Sequence, residues 1–291
     1  MTQPEFSLKY LAMRPMVKRF IGGEALPEAL ETLRELRKKG FFTTLDLLGE
    51  SVSNKKEALK ATEEYIENLK ALKQHNLDRN ISIKLTQLGL DVDYDFAKEN
   101  LIHLVKIAGD MNGFVRVDME CSAYTEMTIK MVAEVHREYP HVGTVLQASL
   151  RRTSQDAVHL LKAGVKIRLC KGAYKEPPSI AFADKHLVDQ QFVTVMKRLL
   201  TSGIYHGIAT HDEKIIEEAK QFARQQKIKP DSFEFQMLLG IRNKFAEKLI
   251  KEGWRVRIYV PYGTFWFPYM TRRLRERKEN LWFVVKNLFQ D

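Results

Sequence analysis

From residue 41 onward, short runs rich in β-branched and apolar residues alternate with longer amphipathic segments, at 41–48, 80–87, 114–120, 142–148, 165–171, 206–211, 232–239 and 255–261. Nearly continuous apolar strands separated by helical segments are the pattern of βα units, whose parallel sheet is covered on both faces. Eight such units point to the α/β class and a (β/α)8 TIM-type barrel, and 291 residues is near the roughly 250 that one barrel takes. One domain over 1–291 is expected, with N-terminal helices in 1–40 (at 7–20 and 27–38) and the barrel and a final helix over its mouth in 41–283. Pro27 suits the first turn of the second helix, which carries Leu30, Leu33 and Leu36 on one face. Further helix starts are marked by Ser53, Asp93, Thr153 and Asp212, whose short side-chain oxygens can cap backbone N–H groups.

A hydrophobic share of 44% beside 29% charged residues supports a large core and argues against disorder. The net charge of +10 suits an acidic partner such as nucleic acid, an anionic cofactor or a membrane surface. The basic residues are spread along the chain without a Lys/Arg block, which speaks against nucleic acid. Only Cys121 and Cys170 are present, no Cys-x-x-Cys occurs and no leader opens the chain, so a cytoplasmic location is expected. No run approaches the roughly 18 apolar residues of a membrane span, so any membrane contact would be peripheral.

In such barrels the chemistry sits at the C-terminal ends of the strands, where the βα loops converge. Those ends carry Asp46, Lys84, Asp118 with Glu120, Gln147, Arg168 with Lys171, His211 and Gln236. Taken singly, each also reads as a solvated loop residue or a structural ion pair. Taken together, they would form a polar cup over an apolar floor. Lys84 alone also suits a Schiff-base barrel enzyme. After the last strand, Tyr269, Arg272, Arg273 and Glu276 fall on one face of an expected helix. Two adjacent arginines there make a receptor for a carboxylate, with Glu276 available for an amine; a plain exposed basic helix with internal ion pairs has the same spacing.

The runs Tyr259-Val-Pro-Tyr-Gly-Thr264, Tyr269-Met-Thr-Arg-Arg-Leu-Arg-Glu276 and Asn280-Leu-Trp-Phe283 resemble the C-terminal signature of the proline dehydrogenase family. Thr44–Glu50, Ser82–Gly89, Val117–Glu120, Arg168–Tyr174, Ala209–Asp212 and Phe233–Gly240 resemble its other blocks in family order. The resemblance, to the monofunctional bacterial type, implies FAD-dependent oxidation of L-proline to 1-pyrroline-5-carboxylate. This is the first step of proline catabolism to glutamate, by hydride transfer to the flavin N5, with electrons passed to a quinone.

By the same resemblance Asp118 and Arg168 match catalytic positions, and Arg272 and Arg273 would pair with the proline carboxylate. Lys84, Leu238, Tyr259, Tyr269 and Glu276 would complete the substrate pocket, with Tyr174 closing over it. Met119, Gln147, Arg168, Lys171, Gly172, Ala173, Thr210 and His211 match contacts to FAD, several through the backbone; no metal is implied. The missing Gly-x-Gly-x-x-Gly is no objection, because the family holds FAD on the barrel rather than on a Rossmann domain. Cys170 and Phe267 depart modestly from the family pattern. The bulk of Tyr259 favours proline over hydroxyproline. No room remains for an aldehyde dehydrogenase domain, so the product would pass to a separate pyrroline-5-carboxylate dehydrogenase, and the basic surface would aid peripheral docking at the inner face of the membrane. The competing readings are a hydroxyproline dehydrogenase, a Schiff-base lysine enzyme and a basic nucleic-acid-binding module.

Overall fold

In the chain order β1 (Phe42–Leu47), β2 (Asn80–Ile83), β3 (Phe114–Val117), β4 (Val142–Gln147), β5 (Lys166–Cys170), β6 (His206–Ala209), β7 (Phe233–Leu238) and β8 (Val256–Tyr262), neighbouring strands pair in parallel. Pairing of β1 with β8, in a register that sets Thr44 beside Tyr259, closes the barrel. The structure is a computed structural model that describes residues 19–49, 51–267 and 269.

Helix α1 (Leu26–Lys38) precedes β1, and the helices that follow β1 to β7 are α2 (Lys55–Gln74), α3 (Tyr94–Asp110), α4 (Ser122–Glu138), α5 (Thr153–Lys162), α6 (Lys185–Leu200), α7 (Glu213–Gln225) and α8 (Asn243–Lys251). Of the helix expected at 7–20, only Arg19 and Phe20 are described and both are helical; the rest lies outside the described residues. Arg272, Arg273 and Glu276, with most of the segment expected to form the final helix, also lie outside them, as does Glu50.

The expected strands at 80–87 and 114–120 are too long. After Ile83 the chain winds into turns, with Gln87 N donating to Lys84 O and Leu88 N to Leu85 O, so Lys84 belongs to the loop. Likewise β3 ends at Val117, and Asp118 and Glu120 stand just beyond it. Alternating Leu and Met residues carry the apolar pattern past the point where backbone pairing stops.

Asp93 and Asp212 cap α3 and α7 as expected, accepting from Phe96 N and Lys214 N. At α2 the cap is one residue later than Ser53. Asn54 accepts from Glu57 N while the Ser53 backbone and hydroxyl donate to the Glu57 carboxylate, so two residues divide one capping box. Thr153 is the first residue of α5 rather than its cap, because its hydroxyl turns back to donate to Gln147 O at 2.5 Å.

Strand side chains alternate between two environments. Ile81, Ile83, Val115, Val117, Ile167 and Leu169 join the apolar core with helix residues such as Leu69, Leu72, Leu101 and Phe192. The intervening Ser82, Arg116, Thr144, Arg168, Glu234, Gln236 and Arg257 are buried and polar, and bond to one another or to backbone across the barrel. Room for such long side chains comes from two strand glycines. A Cβ on Gly143 would lie 2.8 Å from the Arg116 guanidinium, and one on Gly207 would lie 2.7 Å from Gln236 Cδ. A second apolar cluster of Phe20, Ile21, Leu48, Trp266 and Tyr269 ties the segment before α1 to the one after β8.

Candidate active site

Asp118 is the hub of the polar side chains at the strand ends. Its Oδ1 accepts from an Arg168 guanidinium nitrogen at 2.7 Å and its Oδ2 from the Tyr259 hydroxyl at 2.9 Å. The remaining Arg168 nitrogens donate to Gln236 Oε1 at 2.5 Å and to Ser82 Oγ at 3.1 Å. Side chains from β2, β5, β7 and β8 and the loop after β3 are thereby joined. An arginine bonded in three directions is held in one orientation, and a planar guanidinium suits such a fork. The side chains of the Arg168–Asp118 pair are 7% and 16% exposed, so the charges meet where water screens them little.

Beside this hub, Lys84 Nζ lies 3.0 Å from Asp46 Oδ1. Burial alone would lower the lysine's pKa, but Asp46, Asp118 and Glu120 outweigh it and the pKa is raised. A lysine kept protonated in this way lacks the free amine that an imine former needs, which argues against the Schiff-base reading. Asp46 Oδ2 is buried without a hydrogen-bond partner among the described residues. Glu120 accepts from Thr86 N and Oγ1, and burial pushes its pKa up despite those bonds and the nearby Lys84.

A second group lines the ends of β4 to β7. Gln147 donates to Glu120 O at 3.0 Å. Lys171 reaches Asp212 at 2.8 Å and Asp189 at 2.5 Å. Asp212 therefore serves both as helix cap and as counter-ion; burial works against its charge, and Lys171 outweighs that and lowers its pKa. His211 Nε2 accepts from Leu238 N at 3.0 Å, which leaves the ring proton of a neutral imidazole on Nδ1. Thr210 is buried and its hydroxyl accepts from Asp212 N. Gly172 has φ of +105°, and a Cβ there would collide with Ser149 Oγ, so the backbone after β5 runs tightly past the β4 loop.

This rim has groups that a dinucleotide could meet. It offers backbone amide and hydroxyl groups at the strand ends, beside a Lys171 ammonium whose charge is shared with Asp189 and Asp212. Met119 is buried beside the hub, while Ala173 and Tyr174 are half-buried in the loop after β5. Leu238 ends β7, and Tyr269 is buried in the cluster with Trp266.

The expected residues Lys84, Asp118, Arg168 and Tyr259 are thus brought into one charged network. The sequence reading gave no role to Ser82, Thr86 or Glu234. For Glu234 a signal was present, since Glu234 and Gln236 stand two apart in a strand otherwise made of Phe, Met and Leu. Ser82 and Thr86 carried none.

The profile of the proline dehydrogenase family matches residues 29–286. Proline dehydrogenase 1 of Bacillus subtilis subsp. natto is 39% identical over 273 residues, which cover 94% of this chain and 90% of that protein. The proline dehydrogenase of Deinococcus radiodurans is 35% identical over 280 residues, with the same coverage of 94% and 90%. Among solved structures, proline utilization A from Bdellovibrio bacteriovorus, inactivated by N-propargylglycine, is similar with a TM-score of 0.85 and 25% identity over 91% of this chain. The chain spans 33% of that longer protein.

Proposed function

Since the chain belongs to the proline dehydrogenase family, we propose that it oxidises L-proline to 1-pyrroline-5-carboxylate with FAD, its electrons passing on to a quinone. The observation that carries this reading is the convergence of Arg168 and Tyr259 on Asp118 beside the Lys84–Asp46 pair, at the strand ends of a family member's barrel.

Met119, Gln147, Arg168, Lys171, Gly172, Ala173, Thr210 and His211 would hold FAD. When bound, FAD supplies the hydride acceptor for the ring carbon beside the proline nitrogen. The protein's own part is placement and charge. Lys84, kept protonated by Asp46, Asp118 and Glu120, would offer an ammonium to the substrate carboxylate. Arg272 and Arg273 would grip that carboxylate, Glu276 would face the amine, and Tyr174, Leu238 and Tyr269 would shape the pocket. Arg168, immobilised by Asp118, Gln236 and Ser82, is preorganised to stabilise negative charge without reorienting. Tyr259, tethered through its hydroxyl to Asp118, presents a fixed wall to the substrate ring.

No helix among the described residues is long and apolar enough to cross a bilayer. Delivery of electrons to a quinone would then involve peripheral docking, for which the net charge of +10 supplies an attraction to anionic lipid. The product would go to a separate pyrroline-5-carboxylate dehydrogenase.

The deciding experiment is the absorption spectrum of the purified protein, before and after anaerobic addition of L-proline. Flavin bands bleached by proline are expected. A folded protein that takes up FAD but keeps its bands under proline would overturn the reading.

A further inference from the structure

Glu234 is buried in the barrel interior, and its hydrogen bonds among the described residues go to Tyr205, Gln236 and Arg257, none of which is proposed to hold substrate. Its Oε1 accepts from Arg257 Nε at 2.7 Å and from Gln236 Nε2 at 2.5 Å, and its Oε2 accepts from the Tyr205 hydroxyl at 2.9 Å. Gln236 is bonded at both ends, since its Oε1 accepts from Arg168 Nε at 2.5 Å. The result is a continuous chain from Arg257 through Glu234 and Gln236 to Arg168, and on to Asp118.

The direction of that chain follows from what each group can do. A side-chain amide carries donors on one arm and an acceptor on the other, so two orientations are open to it in principle. An ionised carboxylate only accepts and a guanidinium only donates. With Glu234 on one side and Arg168 on the other, a reversed amide would set oxygen against oxygen and N–H against N–H. Burial opposes the charge on Glu234, but Arg257 and the bonds from Gln236 and Tyr205 outweigh it and lower its pKa, so it stays an acceptor. The amide sits in the space that Gly207 leaves bare, where a Cβ would stand 2.7 Å from Gln236 Cδ.

We propose that Glu234 is a positioning residue for Arg168, fixing the Gln236 amide so that its oxygen faces the guanidinium. The proposal rests on the reading of Arg168 as the group that stabilises developing negative charge. Glu234 contributes no contact to substrate or cofactor. It acts by keeping Arg168 at one angle and Asp118 in register with it.

The test compares Glu234→Gln with the exchange Glu234→Gln/Gln236→Glu in the FAD-loaded protein. In Glu234→Gln the neighbour can donate as well as accept, so the amide at 236 is no longer held in one direction. In the exchange, a carboxylate at 236 must accept from Arg168 whatever its neighbour does. Arg257 loses Glu234 in both proteins and keeps Asp78 at 4.0 Å, while only the exchange leaves Arg168 a fixed acceptor at 236.

Glu234→Gln should lower kcat about tenfold, within the range of coupling through a shared hydrogen-bond network, with KM for proline changed less than about twofold. The midpoint potential of the bound flavin should become more negative, because reduced flavin loses the aligned cation. The exchange should recover most of the loss in kcat. Gln236→Met, which leaves Glu234 with Arg257 and Tyr205, should reproduce the loss, and it keeps the proposal open to refutation if Glu234→Gln folds poorly. Wild-type kcat and potential in Gln236→Met, or an exchange no better than Glu234→Gln, would overturn it. A wild-type flavin that proline does not bleach would instead overturn the reading of the site, and this proposal with it.

Discussion

The Arg168 guanidinium lies over the ring of Tyr259, its carbon 5.2 Å from the ring centroid, and the two residues donate to opposite oxygens of Asp118. A cation over an aromatic face adds attraction, and the shared carboxylate fixes the angle between them. Neither residue can move without loosening the other.

Asp118→Asn should therefore damage both fold and turnover. Replacing the charge leaves Arg168 buried without its counter-ion, and such a break costs about 3 kcal/mol. Urea unfolding should show a lower midpoint with an unchanged slope, and kcat should fall by about two orders of magnitude. A variant with wild-type stability would show that Arg168 does not depend on this pair.

Tyr259→Ser should open space against the substrate ring and remove one bond to Asp118. The ratio of kcat/KM for trans-4-hydroxyproline over L-proline should rise by about tenfold, in the range a few displaced heavy atoms can give. Steady-state kinetics with both substrates measures this. A wild type that already prefers hydroxyproline would reverse the assignment of specificity.

His206 should contribute to acid sensitivity. Its Nδ1 accepts from Ile167 N at 3.0 Å, so a second ring proton has no place there, and burial, aided by the charge of Arg116, lowers its pKa to about 3. The unfolded chain takes up that proton near pH 6.5 and the folded chain does not. Stability is thus full above about 6.5 and lost progressively as pH falls toward 3, by about 2 kcal/mol at pH 5. His206→Asn keeps an acceptor near Ile167 and should narrow the gap between Tm at pH 7 and at pH 5. An unchanged gap would exclude His206 as the source.

Gly172→Ala should impair cofactor uptake more than it impairs folding of the rest of the barrel. The position needs φ of +105°, and the added carbon would strike Ser149 Oγ. Displacement of this loop would move Ala173 and Lys171 from the rim. The measured ratio of flavin to protein after purification in excess FAD should drop, whereas full occupancy would place the cofactor elsewhere.

The sequence displayed the strands well because strands covered on both faces are apolar almost without interruption, as in Val142–Gln147. It displayed their ends poorly, since Leu85 and Met119 carry the apolar pattern into the loops that hold Lys84 and Asp118. Helix caps were legible where the capping group is a short acid, at Asp93 and Asp212. They were not where neighbouring residues compete for the same N–H groups, at Ser53 and Asn54. The partners of Asp118 could not be read from spacing, because Arg168 and Tyr259 stand 50 and 141 residues away and meet it only through barrel closure.

The bare strand positions at Gly143 and Gly207 make the occupancy of the barrel interior a joint property. Each lends its volume to a polar chain rooted on another strand, Arg116 in one case and Gln236 in the other. At Gly143 the Lys166 carbonyl refuses a methyl group whatever Arg116 does, whereas at Gly207 the nearest atoms are those of the Gln236 side chain, which bonds Arg168. The bare position at Gly207 is thus tied to the charge arrangement at the mouth, since a larger residue there must displace the amide that bonds Arg168.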